Sequence, residues 1–462
     1  MEIGKESNHE LVVFGGDTEL KCRYTLPGDP TSDVYILPVS GGADSTALAI
    51  LMHRLNPNVS FKLMFSDTGA EDPEIYQCLD RLEVYLGRKI ERIMPPKNMW
   101  ALLDKFGGYL PSATERWCTR LVKAEPFKIW LKQFDSQTKW VFVGIRADEQ
   151  KRVAFTLDGV STEMPFIDMG WRRQDVFRLL QESIGIPRFY SRRSRSGCSF
   201  CPFQRRQELI GLYQESPTEF ARAASYEKLC ERDRERHPPA PSLVEETGIA
   251  LNWMALPIPT DVQVLDGRIG CRKETLFGTI GVFAAAEFYF DEMPGLPAFV
   301  WKQRFLSFST SLSGIKRQVN TRYEHLLSTA EAHDIDEWSV RNQVRFAIYY
   351  IEADASSFDP EGPSVGSFTW SSGESYAQIA HVTDWIKRVL HAASLKQEGL
   401  KCRDESKAAT WCYEQGMIAT LALSKVQEPI GDLIGMQWYK AKEPDIEDQL
   451  DERFVTCAMC SI

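Results

Sequence analysis

Apolar runs of strand length alternate with runs of helical spacing along the first half of the chain. Val34–Val39 reads as a buried strand, and the apolar residues of Ser45–Leu55 recur at the spacing of one helix face. Phe61–Phe65 and Pro73–Leu86 repeat this pair, and Trp140–Val143 is a third strand. The alternation predicts an α/β fold, with a parallel sheet, helices on both faces and ligands at the carboxyl ends of the strands.

Further helices are predicted at Thr119–Lys132, Asp175–Ile184, Gln204–Tyr213 and Pro217–Glu235. Two short strand-like pieces around Gly15-Gly16-Asp17 predict a leading hairpin. The proline-rich stretch His237–Pro241 cannot continue a helix and predicts a domain boundary. We therefore predict a leading hairpin over residues 1–30, an α/β nucleotide-binding domain over 31–236 and a second domain over 245–462.

The second domain is predicted to be mostly α-helical. Helical periodicity is found in five segments: Leu276–Phe290, Trp301–Thr321, Trp338–Glu352, Tyr376–Leu395 and Lys407–Ser424. No motif in these segments indicates a chemical role. We expect this half of the chain to serve contacts with protein partners.

Composition and charge are those of a globular protein of two or three domains. The chain has 462 residues, of which 43% are apolar and 26% charged. No apolar run is long enough for a bilayer, and Met1–His9 lacks a signal core, so we expect a cytoplasmic protein without membrane contact. The net charge of −10 predicts that any binding of nucleic acid depends on a partner subunit.

A glycine-rich loop lies between the first strand and the first helix. It has the sequence Ser40-Gly41-Gly42-Ala43-Asp44-Ser45. Two glycines permit a tight turn whose amide N–H groups face phosphate oxygens, serine hydroxyls add donors, and the helix directs its positive end at the anion. Asp44 is placed to hold a metal ion or a bound water. An ordinary turn in which Asp44 or Ser45 caps the helix is the alternative.

This loop resembles the S-G-G-x-D-S loop of the PP-loop ATP pyrophosphatases, and it lacks the Gly-Lys-Ser/Thr ending of a Walker loop. Three more segments resemble the phosphoadenosine phosphosulfate reductase-like branch of that superfamily. They are Ser66-Asp67-Thr68-Gly69, Arg116-Trp117-Cys118-Thr119 with Lys123, and Gly144-Ile145-Arg146 with Glu149 and Arg152. The resemblance covers residues 30–215, under half of the chain.

The resemblance implies a site for ATP with Mg²⁺, or for adenylyl sulfate. The implied nucleotide-binding residues are Ser40, Gly41, Gly42, Ala43, Asp44, Ser45, Asp67, Thr68, Gly69, Arg116, Arg146 and Arg152. Asp44, Lys123 and Arg146 are the implied catalytic residues. Arginine suits phosphate or sulfate because its guanidinium group donates charge-assisted hydrogen bonds.

A C-x-x-C pair, Cys198 and Cys201, follows a turn glycine. Two thiolates at this spacing chelate one metal ion or bind an iron–sulfur cluster. The resemblance implies a [4Fe-4S] cluster on Cys118, Cys198 and Cys201, although Trp117 occupies the place of one cysteine of the family's upstream pair. Cys230 is the candidate fourth ligand. Zn²⁺ on four thiolates and a reduced pair without metal are the alternatives.

An arginine-rich run flanks the cysteine pair. It contains Arg188, Arg192, Arg193, Arg195, Arg205 and Arg206, interleaved with aromatic residues. Such a run suits a polynucleotide or a phosphosulfate. A solvated loop that offsets acidic surface elsewhere is the alternative.

Three functions follow from these patterns. The first is an ATP-using enzyme that adenylates an acceptor and supports iron–sulfur-dependent sulfur transfer to DNA or tRNA, similar to the sulfur-inserting ATPase of DNA phosphorothioation systems, some of which serve phage defence. The second is a reductase of adenylyl sulfate or phosphoadenylyl sulfate, although the family's C-terminal E-C-G-L-H motif is absent and Cys457 and Cys460 do not resemble it. The third is a nucleotide-sensing subunit of a defence or regulatory assembly.

Overall fold

A computed structural model describes most of the first half of the chain and part of the second. The described residues are 11–13, 20–22, 24–111, 116–149, 157–194, 197–199, 201–227, 263–265, 268–270, 278–291, 299–331, 335, 340, 343–354 and 376–398. Strands β1 (Leu11–Val13) and β2 (Leu20–Cys22) pair antiparallel in a hairpin. No described helix has the length and apolar character that a membrane crossing requires.

A five-stranded parallel sheet forms the centre of the first half, in the order β5-β4-β3-β6-β7. The strands are β3 (Val34–Pro38), β4 (Lys62–Ser66), β5 (Glu91–Ile93), β6 (Lys139–Phe142) and β7 (Val160–Glu163). Strand β3 is buried along its whole length because it is central and covered on both sides. The predicted α/β class and parallel sheet are confirmed.

Helices cover both faces of this sheet. Their bounds are α1 (Ala43–Leu55), α2 (Pro73–Leu86), α3 (Met99–Lys105), α4 (Glu125–Leu131), α5 (Pro165–Asp168), α6 (Arg173–Ser183), α7 (Arg206–Glu215) and α8 (Pro217–Ala224). Tyr35 and Leu37 of β3 pack with α1, α2 and α6, whereas Val34 and Ile36 pack with α4. This alternation follows the two-residue period of a strand and places the amino end of α1 at the carboxyl edge of the sheet.

The segment before α4 is not a regular α-helix. Thr119–Ala124 is π-helical and continues directly into α4, with a short 3₁₀ turn at Lys132–Phe134. The helix predicted over Thr119–Lys132 therefore exists with an irregular first part. Wide turns of this kind within a helix are rare and frequently lie at functional sites.

A second sheet lies in the C-terminal half. Its strands are β8 (Gln263–Leu265), β9 (Arg268–Gly270), β10 (Thr279–Asp291), β11 (Phe299–Ser309) and β12 (Val344–Asp354). They are arranged in the order β11-β10-β12-β9-β8, with β12 and β9 parallel and the other pairs antiparallel. Two long helices, α9 (Leu312–Glu331) and α10 (Tyr376–Glu398), pack with this sheet.

Helices are confirmed in this half, but three of the predicted segments are wrong in type. Leu276–Phe290, the first part of Trp301–Thr321 and the second part of Trp338–Glu352 contain strands. The reason is burial on both faces: Ala284 and Ala286 pack on one side of β10 and Ala285 on the other. A doubly buried strand reads as a continuous apolar run, which a helical period also fits. Lys407–Ser424 lies outside the described residues.

The two halves of the chain are packed together through apolar and polar contacts. One apolar cluster contains Leu209 of α7, Phe288 of β10 and Trp385 of α10. The Arg206 guanidinium donates to the Phe308 carbonyl at 2.9 Å and lies over the Phe308 ring at 4.7 Å. The boundaries assigned to the predicted domains stay a prediction.

Candidate functional site

The glycine-rich loop joins the carboxyl end of β3 to α1. Gly41 has a φ of 71°, in the left-handed region, and a Cβ there would lie 2.7 Å from the Ile75 side chain. Gly42 is extended and occupies the N-cap position of α1 without a side chain of its own. Because a side chain at Gly41 is excluded by both backbone and packing, the loop brings its amides close to any bound anion.

Serine hydroxyls fix the shape of this loop. The hydroxyls of Ser40 and Ser45 lie 3.0 Å apart, and the Ser40 amide donates to Ser45 Oγ at 3.0 Å. The Ala43 amide donates to the Tyr190 hydroxyl at 2.8 Å. Both serines are buried, so these hydrogen bonds are shielded from water and define the path of the loop.

Asp44, the second residue of α1, pairs with Arg146, which follows β6. Arg146 Nη1 lies 2.7 Å from Asp44 Oδ1, and Arg146 Nε lies 2.9 Å from Asp148 Oδ1. Burial opposes the charge of Arg146, but Asp44, Glu149 and Asp148 outweigh it and raise the guanidinium pKa above its ordinary value. The group is therefore a permanent cation beside the loop.

Gly144 allows the chain after β6 to approach the start of α1. A Cβ at this position would lie 2.9 Å from the Asp44 carbonyl carbon and 3.2 Å from the Ser45 amide nitrogen. These are backbone atoms, which cannot rotate away. The glycine therefore keeps Arg146 within hydrogen-bonding distance of Asp44.

A second loop follows β4. Asp67 Oδ1 accepts hydrogen bonds from the Gly69 amide at 2.9 Å and the Tyr76 hydroxyl at 2.8 Å. Gly69 has a φ of 73°, and Trp100 Nε1 donates to its carbonyl at 2.9 Å. Asp67, Thr68 and Gly69 thus form a fixed turn at the same sheet edge as the glycine-rich loop.

Thr68 connects this turn to the cysteine pair. Its hydroxyl donates to Glu71 Oε1 at 2.8 Å and lies 3.7 Å from Cys198 Sγ. Cys198 Sγ is also 3.8 Å from Glu71 Oε1. Burial, followed by the charge of Glu71, raises the pKa of the Cys198 thiol well above its usual range, and Lys123 acts in the opposite direction.

The three described cysteines of the predicted set are neighbours. The charges of Cys201 and Cys118 both act on Cys198. Cys118 precedes the π-helical turn that carries the buried Lys123. The fold therefore makes Cys118, Cys198 and Cys201 electrostatic neighbours, although up to 83 positions separate them in the sequence.

The loop that carries Cys198 is held by buried arginines. Arg193 Nη2 donates to the Cys198 carbonyl at 3.0 Å, and the Cys201 amide donates to the same carbonyl at 3.3 Å. Arg192 pairs with Asp72, and both side chains are almost completely buried. Arg192 and Arg193 therefore hold the loop inside the protein instead of presenting a solvated surface for a polynucleotide. Arg195 lies outside the described residues.

The described residues do not form a complete metal-binding site. Across the described part of the chain, no group of three or more His, Cys, Asp or Glu residues is arranged to hold a metal ion. Cys118, Cys198 and Cys201 form no disulfide with any described residue, and Cys230 lies outside the described residues. Four-ligand coordination is therefore incomplete in the described chain, and the iron–sulfur cluster and the zinc ion both remain proposals.

Two nucleotide-binding predictions have different outcomes. The Arg116 guanidinium lies 5.2 Å from the centre of the Phe203 ring, next to the C-x-x-C turn. Arg152 lies outside the described residues, whereas Glu149 of the same segment pairs with Arg146 at 3.6 Å. Arg116 is thus placed at the cysteine end of the site and Arg146 at the loop end.

Several residues of the site were missed by sequence reasoning. Glu71 lies two positions after the Ser66–Gly69 motif, and this position at the end of a strand was the signal that could have found it. Tyr190 and His325 carry no local signal, because Tyr190 reaches the loop from a distant segment and His325 in turn contacts the Tyr190 carbonyl. Tertiary packing alone places them there.

A family model and several proteins match part of the chain. Residues 34–202 match the family model of the phosphoadenosine phosphosulfate reductase domain. An uncharacterised protein of Methanocaldococcus jannaschii is 28% identical over 189 residues, which are 38% of this chain and 38% of that protein. An uncharacterised 37.8 kDa protein of Escherichia phage 186 is 26% identical over 259 residues, 43% of this chain and 75% of that protein.

A solved structure gives a weaker match. Phosphoadenylyl-sulfate reductase from Candida auris, crystallised as a phosphate complex, is 17% identical with a TM-score of 0.27, and the match covers 32% of this chain and 72% of that one. The chain spans 38% of the length of the first archaeal relative and 44% of a second protein of Methanocaldococcus jannaschii. The fold assignment rests on the strand order described above.

Proposed function

We propose that the chain is an ATP-using PP-loop enzyme, since residues 34–202 match the family model of the phosphoadenosine phosphosulfate reductase domain and contain a glycine-rich loop suited to phosphates. The observation that best supports this proposal is the ion pair beside the glycine-rich loop, in which Arg146 Nη1 lies 2.7 Å from Asp44 Oδ1. The loop amides and the hydroxyls of Ser40 and Ser45 bind the phosphates. Asp67, Thr68 and Gly69 lie at the same sheet edge, where the adenosine is bound.

The proposed reaction begins at the α-phosphate. An oxygen of the acceptor attacks the α-phosphorus, the bond to the bridging oxygen breaks, and pyrophosphate leaves with that electron pair. Arg146 offsets the charge that develops on the phosphate oxygens, because a fixed guanidinium in a partly buried site needs no reorganisation. Asp44 would hold Mg²⁺, which would supply positive charge to the leaving pyrophosphate. Adenylation converts a poor leaving oxygen into AMP, a good one.

Sulfur transfer is the proposed second step. A sulfide donor attacks the activated position, its sulfur forms the new bond, and AMP departs with the electron pair of the broken bond. Cys118 and Cys201 are electrostatic neighbours of Cys198, and the positive charge of Lys123 partly offsets the burial and the Glu71 charge that raise the pKa of the Cys198 thiol. Cys118, Cys198 and Cys201 would hold a [4Fe-4S] cluster either with Cys230 as the fourth ligand or with one iron left open to sulfide, and Zn²⁺ is the alternative metal. The acceptor is proposed to be DNA or tRNA, delivered by a partner subunit.

The test is product analysis with radiolabelled ATP and a mixture of DNA and tRNA acceptors under anaerobic conditions. AMP and pyrophosphate in equal amounts, with sulfur label entering the nucleic acid, are expected. Loss of sulfur label but not of pyrophosphate in Cys198→Ser separates the two steps. If the protein binds ATP but does not turn it over under any of these conditions, the proposed enzymatic activity is contradicted. A nucleotide-sensing subunit of a larger assembly is then favoured.

A reductase is the second candidate, favoured by the matched family model. The same loop then holds adenylyl sulfate or phosphoadenylyl sulfate, and a thiol attacks the sulfate sulfur. Sulfite release from either sulfonucleotide in the presence of a dithiol reductant identifies this reaction. Absence of sulfite, together with pyrophosphate release from ATP, excludes it.

A further inference from the structure

Arg173, the first residue of α6, lies at the phosphate end of the site. Its Nη2 is 2.7 Å from Nδ1 of His325, and the same nitrogen is 3.4 Å from the Ser194 carbonyl. The guanidinium also lies 4.9 Å from the centre of the Phe177 ring. These contacts fix the group in one orientation.

This guanidinium has no carboxylate partner in the described part of the chain. Its Nε is buried and makes no hydrogen bond to any described residue. Arg146, Tyr190, Asp44 and Asp148 are its electrostatic neighbours, so the cation faces the region of the Asp44–Arg146 pair. This partly buried guanidinium has a buried Nε without a hydrogen bond and no described carboxylate in direct contact, and a phosphate group would supply such a partner.

His325 belongs to α9, in the C-terminal half of the chain. Its Nε2 forms a short hydrogen bond with the Tyr190 carbonyl, and the Tyr190 hydroxyl accepts the Ala43 amide at 2.8 Å. Since the guanidinium is donor only, Nδ1 must accept from Arg173 and Nε2 must carry the proton. The imidazole is therefore neutral. Helix α9 thus contacts both the guanidinium of Arg173 and the residue that supports the loop.

We propose that Arg173 is a further phosphate-binding residue and that His325 is its positioning residue, so that the C-terminal half completes the nucleotide site. This inference rests on the proposed function, because it needs a nucleotide phosphate at the loop. It assigns to α9 a role in nucleotide binding that no sequence motif of the second half indicates. A charge-assisted hydrogen bond to phosphate predicts that loss of Arg173 weakens binding about tenfold or more, which is ~1.4 kcal/mol for a factor of ten.

The experiment compares dissociation constants for Mg·ATP and for adenosine on the full chain. Arg173→Ala is expected to bind Mg·ATP at least tenfold more weakly and adenosine within twofold of wild type, and Arg173→Lys should fall between. The matched control is Arg172→Ala, which removes the same charge from the exposed neighbouring position. Its affinity for Mg·ATP should stay within twofold of wild type.

His325 is tested with two variants. Glutamine has both an acceptor and a donor, so His325→Gln should keep most of the affinity for Mg·ATP, whereas His325→Leu should lose as much as Arg173→Ala. The double variant should be no weaker than either single one, because both remove the same contact. Wild-type affinity for Mg·ATP in Arg173→Ala, or an equal loss for adenosine, overturns the inference and leaves the proposed function intact. Failure of the wild type to bind Mg·ATP overturns both.

Discussion

The neutral state of His325 makes stability depend on pH in a specific interval. Burial and the charges of Arg173 and Arg322 lower the pKa of His325 to about 3. In the unfolded chain its pKa is about 6.5. The unfolded state therefore binds a proton between these values and the folded state does not, so folding stability falls as the pH decreases from about 6.5 towards 3.

The magnitude follows from the two pKa values. Between pH 7 and pH 5 the wild type should lose about 2 kcal/mol through this one side chain, at 1.36 kcal/mol per pH unit below the unfolded pKa. His325→Gln has no titrating group and should lose that much less. The charged groups that act on His325, among them Arg173 on α6, Arg322 on the same helix α9 and Glu287 on β10, remain the same in both proteins and cancel in the comparison.

The assay is urea unfolding at pH 7 and pH 5, followed by tryptophan fluorescence. For wild type, His325→Gln and His391→Gln, we compare the change in the free energy of unfolding between pH 7 and pH 5. His391 is an exposed histidine of α10, so that variant should follow the wild type. An equal loss in wild type and His325→Gln would refute the buried neutral imidazole and the tautomer assigned to it.

Three further predictions concern the loop, the cysteine segment and the thiols. Gly144→Ala places a Cβ 2.9 Å from the Asp44 backbone and should weaken Mg·ATP binding more than tenfold without unfolding the chain. Calorimetry measures the affinity, and circular dichroism checks that the chain is folded. Unchanged affinity would contradict the close approach of the two segments. Asp72→Asn leaves the buried Arg192 with Glu215, 3.3 Å away, as its remaining carboxylate partner, and should destabilise the protein by about 1–3 kcal/mol, with faster alkylation of Cys198 by iodoacetamide. Equal alkylation rates would refute the link. Cys198→Ser should abolish iron and sulfide in anaerobically purified protein if a cluster is bound, and equal iron in wild type and variant excludes Cys198 as a ligand.

The parts of the fold predicted from the sequence are those with local signals. Strand β3, the glycine-rich loop and α1 are contiguous, so the apolar run, the two glycines and the helical spacing indicate them together. The same holds for α2, where Asp72 caps the amino end and Gly87, with a φ of 62°, ends the helix. The predicted phosphate loop and the turn at Asp67 then meet because parallel strands place their carboxyl ends at one edge.

The parts that escaped prediction depend on tertiary packing. Strand β10 is buried on both faces, so its pattern of apolar residues has no two-residue alternation to distinguish it from a helix. Glu287, in the middle of that strand, is fully buried and pairs with Arg322 at 2.9 Å, a contact across 35 positions. His325 reaches the site in the same manner. No window of sequence contains such information.

Binding of nucleotide phosphates at the loop of Ser40–Ser45 is the central claim, and one measurement tests this binding directly. A crystal structure of the full chain with Mg²⁺ and α,β-methylene-ATP, which resists cleavage at the α-phosphate, locates the triphosphate. We predict phosphate oxygens within hydrogen-bonding distance of the loop amides and the Ser45 hydroxyl, with Arg146 and Arg173 on the same phosphates. A triphosphate bound elsewhere on the chain, or a map without nucleotide at saturating concentration, would contradict the account.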